Sequence, residues 1–339
     1  MIEQHIFHGA PAEIGEMHGR TFAEDITKTL EIYLTLWNCP QEQIPAKVQG
    51  YKKSVQEFFP HLAEEIKGIA KGSGVPEDFI YAINSRTELL GDASLIECTA
   101  VGISRSAKGG GNLVLAQNWD WVNSLRGLTK VVELQPKDKP RMKMLIEPGM
   151  VGKIGMNEAS IGVCLNFLET PQMLGHGIPV HVLLRGIVEQ VNYSNAYKLI
   201  SSLPRAASAN YLLGSHHSDD DEDYEKEIGS IETTPENIFE LEETPFITHT
   251  NSYNAKGEVC DRQEIFKAAL WRYLEQDSER IISPENLKKA FKIPGVQFPA
   301  STTLGGIETL HTVIMNLTQG RFLVSEGVKS DAFSVYEFE

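Results

Sequence analysis

Excess positive charge, long apolar runs and clustered cysteines are all missing from this chain, and each absence removes a class of function. Lys and Arg number 31 against 46 Asp and Glu, a formal charge of −15. A surface of that sign repels phosphate backbones and anionic lipid, because affinity for both rests on cations neutralising phosphates. Nucleic acid and membrane are therefore not expected as partners. No run of about 18 apolar residues occurs, so no transmembrane helix is expected. The opening MIEQHIFHGAPAEIGEMHGR has no cationic segment followed by an apolar one, and the expected location is the cytoplasm. The four cysteines, Cys39, Cys98, Cys164 and Cys260, stand far apart without CxxC or Cys/His spacing, so neither a disulfide framework nor a metal site is expected. Three of them read as small buried hydrophobes. GxSxG, HExxH and GxxxxGK(S/T) are absent as well, which removes the anchors of serine-hydrolase, zinc-protease and phosphate-loop readings. The glycines at 109–111 then read as a hairpin turn.

What is present is a chain of 339 residues, 41% of them apolar, long enough to bury a large core. Helical spacing predicts helices over 12–37, 43–59, 61–71 and 76–90, the last opening on Pro76 with Glu77 and Asp78 in its first turn. At Glu97 the period changes to two: Thr99, Val101 and Ile103 alternate with Ala100, Gly102 and Ser104. Strands follow at 113–119, 129–134, 142–147, 151–156, 161–167, 207–213, 228–233, 246–250, 309–317 and 321–325. Helical patterns interrupt them at 179–191, 194–202, 261–275 and 283–291, with Ser283 as N-cap before Pro284. Helices and strands are grouped with little βαβ alternation, so the expected class is α+β with mostly antiparallel sheets. The stretch SHHSDDDEDYEKE, 215–227, reads as a mobile surface loop, and adjacent His216 and His217 do not make a metal site.

IECTAVGIS and NLVLAQNWDW flank the glycine-rich turn as two apolar runs. Antiparallel pairing about a turn inside 105–112 sets Cys98 opposite Trp119 or Asp120, which brings a thiol and a carboxylate to one end of the hairpin. A second hairpin, VGKIGMNEASIGVCLNF, turns between residues 157 and 160 and carries Asn166 to a similar strand end. The motifs CTAVGIS, GNLVLAQNWDW, GMNEASIGVCLNF and FITHTNSY resemble those of the N-terminal nucleophile hydrolases that include choloylglycine hydrolase and penicillin V acylase. HGAPAEIGEMHGRTFAEDI and EEIKGIAKGSGVPEDFIYAINSRTELL resemble the prosegment of the isopenicillin N acyltransferase family, the acyl-coenzyme A:6-aminopenicillanic acid acyltransferases.

The resemblance implies a four-layer αββα fold with two packed, mostly antiparallel sheets, and a helical leader, residues 1–97, that stays associated after cleavage from a catalytic domain, 98–339. Cys98 matches the nucleophile freed by autoproteolysis. Asp120 matches the carboxylate that contacts the nucleophile and its amine, and Asn251 the side-chain donor of the oxyanion hole. Asn166 matches a second asparagine near that hole, and Arg262 an arginine beside the nucleophile. Gln117 stands where choloylglycine hydrolases carry arginine, which argues against bile salts, and Glu97 stands where the penicillin-pathway enzymes have glycine. Ser208 resembles a strand serine of the acyltransferase branch and is assigned to packing or substrate positioning. His249 and His176 are assigned structural roles.

The implied chemistry is acyl transfer through an S-acyl enzyme. A freed α-amine, with an ordinary pKa of about 8, accepts the proton of its own thiol. Amide donors hold the oxyanion, and the amine returns the proton to the leaving nitrogen. Water then completes hydrolysis, or an amine completes acyl transfer, on a small acyl amide or acyl-CoA with no cofactor or metal; a homo-oligomer is left open. The alternative is an inactive family member serving as a binding or scaffold module.

Overall fold

The computed structural model describes residues 2–90, 97–105, 111–168, 174–216, 226–241, 245–277, 282–303, 305–327 and 332–338. The first hairpin's turn at 106–110 and the acidic stretch at 217–225 lie outside the described residues. The N-terminal part runs β1 (Gln4–Gly9), α1 (Pro11–Thr21), α2 (Ala23–Leu36), α3 (Ile44–Phe58), α4 (Pro60–Ser73), α5 (Glu77–Asn84) and α6 (Arg86–Leu90). The first strands after it are β2 (Glu97–Ile103), β3 (Val114–Val122), β4 (Lys130–Pro136), β5 (Met142–Ile146), β6 (Ile154–Asn157) and β7 (Ile161–Phe167). Helices α7 (Val180–Val188) and α8 (Tyr193–Ser202) precede β8 (Ala209–Ser215), β9 (Ile228–Thr233), β10 (Ile238–Leu241) and β11 (Phe246–His249). Then come α9 (Asp261–Gln276), α10 (Pro284–Phe291), β12 (Ile307–Asn316), β13 (Arg321–Glu326) and β14 (Phe333–Glu337).

These strands form an eight-stranded sheet, β1-β4-β5-β6-β7-β8-β9-β10, and a six-stranded sheet, β11-β2-β3-β12-β13-β14. Their facing sides share one core, with Leu115, Trp119 and Trp121 of β3 packed with Val163, Leu165 and Leu213 of the larger sheet. Helices α1, α7 and α8 cover the outer face of the eight-stranded sheet. Helices α9 and α10 cover the six-stranded one, where Phe266, Leu270 and Phe291 pack with Val101, Val114 and Ala116. The result is the expected αββα stack.

Several expectations need correction, among them the helix over 76–90, which Ser85, at φ −113° and ψ 25°, divides into α5 and α6. The segment 12–37 is two helices, because Phe22 leaves helical geometry at φ −115° and ψ 24° and turns its ring into the core beside Phe7 and His18. The N-terminal part is otherwise helical, and its one described strand, β1, pairs in parallel with β4. β1, β10 and β14 gave no strand signal, and all three are sheet edges. An edge strand buries few side chains, so its apolar alternation is weak: Ile6, Phe239 and Val335 are among the exposed hydrophobics.

Helices α1 and α4 lie unusually close. A Cβ on Gly15 would sit 2.0 Å from the Glu65 carbonyl oxygen, and one on Gly68 would sit 2.4 Å from that of Ala12. GEMHG and GIAKG therefore interlock backbone to backbone, with His18 set against the β5–β6 connection and Glu65 against Arg185 of α7. His18 Nε2 accepts the Gly149 N–H at 2.9 Å, and Asn84 donates to the Gly149 carbonyl and accepts from the Val151 N–H. Those bonds pin the β5–β6 connection.

Candidate active site

Cys98 pairs with Trp119 and Glu97 with Asp120, as the antiparallel reading requires. Directly paired residues point to the same face, and successive residues to opposite faces. Cys98 and Trp119 accordingly point between the sheets, while the Asp120 side chain points toward the α9 layer. This corrects the expectation that thiol and carboxylate meet. Burial first, and then the Asp120 charge, push the thiol up to about 11, against the opposing pull of the Asp120 main-chain N–H, the nearby Lys153 and the Gln117 amide.

On the far face, Asp120 Oδ1 accepts from the Thr309 hydroxyl and Oδ2 lies 3.9 Å from Arg262 Nη1. Arg262, in the first turn of α9, rests its guanidinium 4.5 Å from the centre of the Phe298 ring. Asn251 follows β11; its Oδ1 accepts the Cys98 main-chain N–H at 2.6 Å and its Nδ2 donates to the Phe167 carbonyl at 2.8 Å. Asn166 lies one residue before Phe167, buried, with its Nδ2 3.5 Å from the His249 carbonyl and its Oδ1 accepting from Asn210. Cys98, Asp120, Asn251 and Arg262 thus form a connected set, and Asn166 supports the strand end that Asn251 grips.

Gln117 bridges the sheets, donating to the Leu165 carbonyl at 2.6 Å and accepting the Leu165 N–H at 3.0 Å. His249 has Glu232 Oε1 2.7 Å from its Nε2, and Glu232 also accepts the N–H groups of Asn254 and Ala255. The pair therefore shapes the loop that carries Asn251. Ser208 is buried beside β8.

A cavity opens at the thiol, lined by Arg86, Gln117, Trp119, Trp121, Lys153 and Phe167 among others. Its charged wall was not anticipated. Glu147 Oε1 lies 3.0 Å from Arg86 Nη2 and 3.2 Å from Lys153 Nζ, and Oε2 accepts from the Tyr33 hydroxyl. Arg86 stacks 4.2 Å from the Trp121 ring centre and Lys153 3.9 Å from that of Trp119. Burial alone would raise the Glu147 carboxyl, but the two cations hold it below its usual value. For Lys153, burial and then the Arg86 charge lower the pKa to about 7. One signal lay in the sequence, a lysine inside the apolar stretch MVGKIGM. No cluster of three or more metal-ligating side chains occurs among the described residues.

The αββα stack is the N-terminal nucleophile hydrolase fold, and Cys98 stands near the start of one of its inner strands. Among solved structures, a variant of the conjugated bile acid hydrolase from Clostridium perfringens shares the fold, with a TM-score of 0.51 at 11% identity over 70% of this chain and 92% of that one. Penicillin V acylase from Agrobacterium tumefaciens aligns with a TM-score of 0.40 at 11% identity, over 71% of this chain and 86% of that one. Within the class the sequence is more specific. Residues 107–296, more than half of the chain, match the family described as acyl-coenzyme A:6-aminopenicillanic acid acyl-transferase, and the chain belongs to that family. A curated relative, the 40 kDa form of acyl-coenzyme A:6-aminopenicillanic-acid-acyltransferase from Emericella nidulans, is 31% identical over 219 residues, 62% of this chain and 59% of that protein. The chain thus matches well under two thirds of that relative's length.

Proposed function

We propose that this protein is a cysteine N-terminal nucleophile enzyme that transfers or hydrolyses the acyl group of small linear amides or acyl-CoA thioesters, activated by self-cleavage between Glu97 and Cys98. The observation that carries the reading is the grip of Asn251 on the Cys98 main-chain nitrogen, beside a cavity into which the thiol opens. A main-chain nitrogen fixed by a side chain is what a site needs if that nitrogen is to become an amine and act as base for its own thiol. In this reading Cys98 attacks the carbonyl, and Asn251 with Asn166 supports the oxyanion region. Asp120, held by Thr309 and Arg262, fixes the charge beside the new amine. Residues 1–97 form the leader and 98–339 the catalytic domain. Cytoplasmic residence belongs to the same reading; among the described residues no helix is long and apolar enough to cross a membrane.

Intact mass under denaturing conditions tests the cleavage, with fragments 1–97 and 98–339 expected and Cys98→Ala remaining one chain. Processed protein is then offered N-acyl amino acids, acyl-amines and acyl-CoA donors. An uncut wild-type chain that turns over any of them refutes the free-amine mechanism.

A further inference from the structure

Before the chain is cut, Cys98 has no α-amine, so the base of the mature site does not yet exist. The thiol's proton has to go elsewhere. Of the described residues that line the cavity, only Arg86 and Lys153 are ionisable besides Cys98 itself. A guanidinium does not deprotonate in a protein. The Asp120 carboxylate lies on the other face of the sheet, and His249 is turned to Glu232.

Lys153 is left, and its surroundings suit it to hold a proton only part of the time. One buried carboxylate, Glu147, serves two buried cations, Arg86 at 3.0 Å and Lys153 at 3.2 Å. Since the guanidinium keeps its proton and uses the carboxylate's charge, the ammonium is the uncompensated member and is the one that yields. Its Nζ stands 3.9 Å from the ring centre of Trp119, the residue directly paired with Cys98, so the amine is on the thiol's side of the sheet. Two histidines also feel the Lys153 charge, and burial lowers both, His311 to about 4 and His181 well below its usual value. Of the ionisable side chains that line the cavity, Lys153 is the one shifted toward neutrality, to about 7; Glu88, raised to a similar value, is outside the lining and accepts the Val180 N–H.

We propose that Lys153 takes the Cys98 thiol proton during self-cleavage of the uncut chain, a role that rests on the self-processing reading above. The Sγ–H proton passes to the neutral Nζ, directly or through one water, as the Sγ–C bond to the Glu97 carbonyl carbon forms. The C–N bond between Glu97 and Cys98 then breaks, and the Lys153 ammonium returns its proton to the departing nitrogen. Water hydrolyses the thioester to the Glu97 carboxylate and a free thiol. Because the proton leaves as the bond forms, a free thiolate need not accumulate.

Cutting is followed by intact mass during cell-free synthesis, with folding checked by circular dichroism. In the wild type, cutting should accelerate as pH rises through about 7. Lys153→Ala and Lys153→Arg should each cut at least about a hundredfold more slowly, the loss expected for a missing general base. Ethylamine should restore cutting to Lys153→Ala and leave Lys153→Arg unchanged. Lys153→Arg keeps a cation for Glu147, so it decides the matter if Lys153→Ala does not fold. Cutting of Lys153→Arg at the wild-type rate overturns the proposal, as does a folded, slow Lys153→Ala chain that ethylamine does not accelerate. A folded wild-type chain that is never cut removes the self-processing reading and the role of Lys153 together.

Discussion

Asn251 gives its Nδ2 to the Phe167 carbonyl and its Oδ1 to the Cys98 nitrogen, so in the uncut chain both ends of the amide are committed. In the proposed mature site Oδ1 keeps its hold on the new amine, and the second N–H of Nδ2 is the donor left for a substrate oxyanion. Losing such a donor typically costs a hundred- to a thousandfold in rate, about 3 to 4 kcal/mol, with little effect on folding. Asn251→Ala, assayed on processed protein, should show that loss in kcat. Asp120→Asn should instead slow both cutting and turnover, because the charge that Thr309 and Arg262 hold near Cys98 is removed. Equal, mild effects at both positions would mark them as structural polar residues. Cys98 and Asp120 were legible because antiparallel register is arithmetic about a turn. Which face each would take was equally available from the alternation, yet the shared strand end suggested contact. Arg86, Glu147 and Lys153 were not legible as a group, since nothing local links a helix end to a connection between two strands of another sheet.

Elements with a buried face were predictable to within a few residues, and those without one were not. Helix α1 reads as amphipathic, but its interlock with α4 depends on glycines that a hydropathy pattern counts as neutral. The consequence is a buried histidine. His18 Nε2 accepts the Gly149 N–H, which requires the neutral ring, and burial first, with Arg185 and His5 nearby, lowers its pKa to about 3. In the unfolded chain a histidine titrates near about 6.5. Between those values the unfolded chain binds a proton at His18 that the folded chain does not, so stability complete above about 6.5 falls as pH falls, by up to about 1.4 kcal/mol per unit. Urea unfolding of the uncut Cys98→Ala chain should show a midpoint that drops from pH 7 to pH 5. His18→Gln should flatten that drop, since its amide oxygen accepts the same N–H without titrating. An unchanged slope would assign the acid sensitivity elsewhere.

Across the whole molecule, residues 1–97 are bound to the rest by structure that the proposed cleavage would leave intact. β1 forms the parallel edge of the eight-stranded sheet. Glu65 of α4 makes two buried hydrogen bonds to Arg185 of α7, at 2.9 and 3.0 Å, and Arg86 forms part of the cavity wall at Cys98. Departure of the leader would strand the Arg185 guanidinium beside Glu189 without its second carboxylate. Breaking such a buried pair costs about 3 to 5 kcal/mol before any apolar surface is counted. It would also release the β5–β6 connection that His18 and Asn84 hold, and with it Glu147 and Lys153. The fragments should therefore elute together from gel filtration in native buffer and separate only in denaturant. Residues 98–339 made alone should neither fold cooperatively nor turn over substrate, and adding residues 1–97 during refolding should restore both. A folded, active 98–339 fragment would show that the leader serves folding or cleavage only, and that Arg86 is not needed at the mature site.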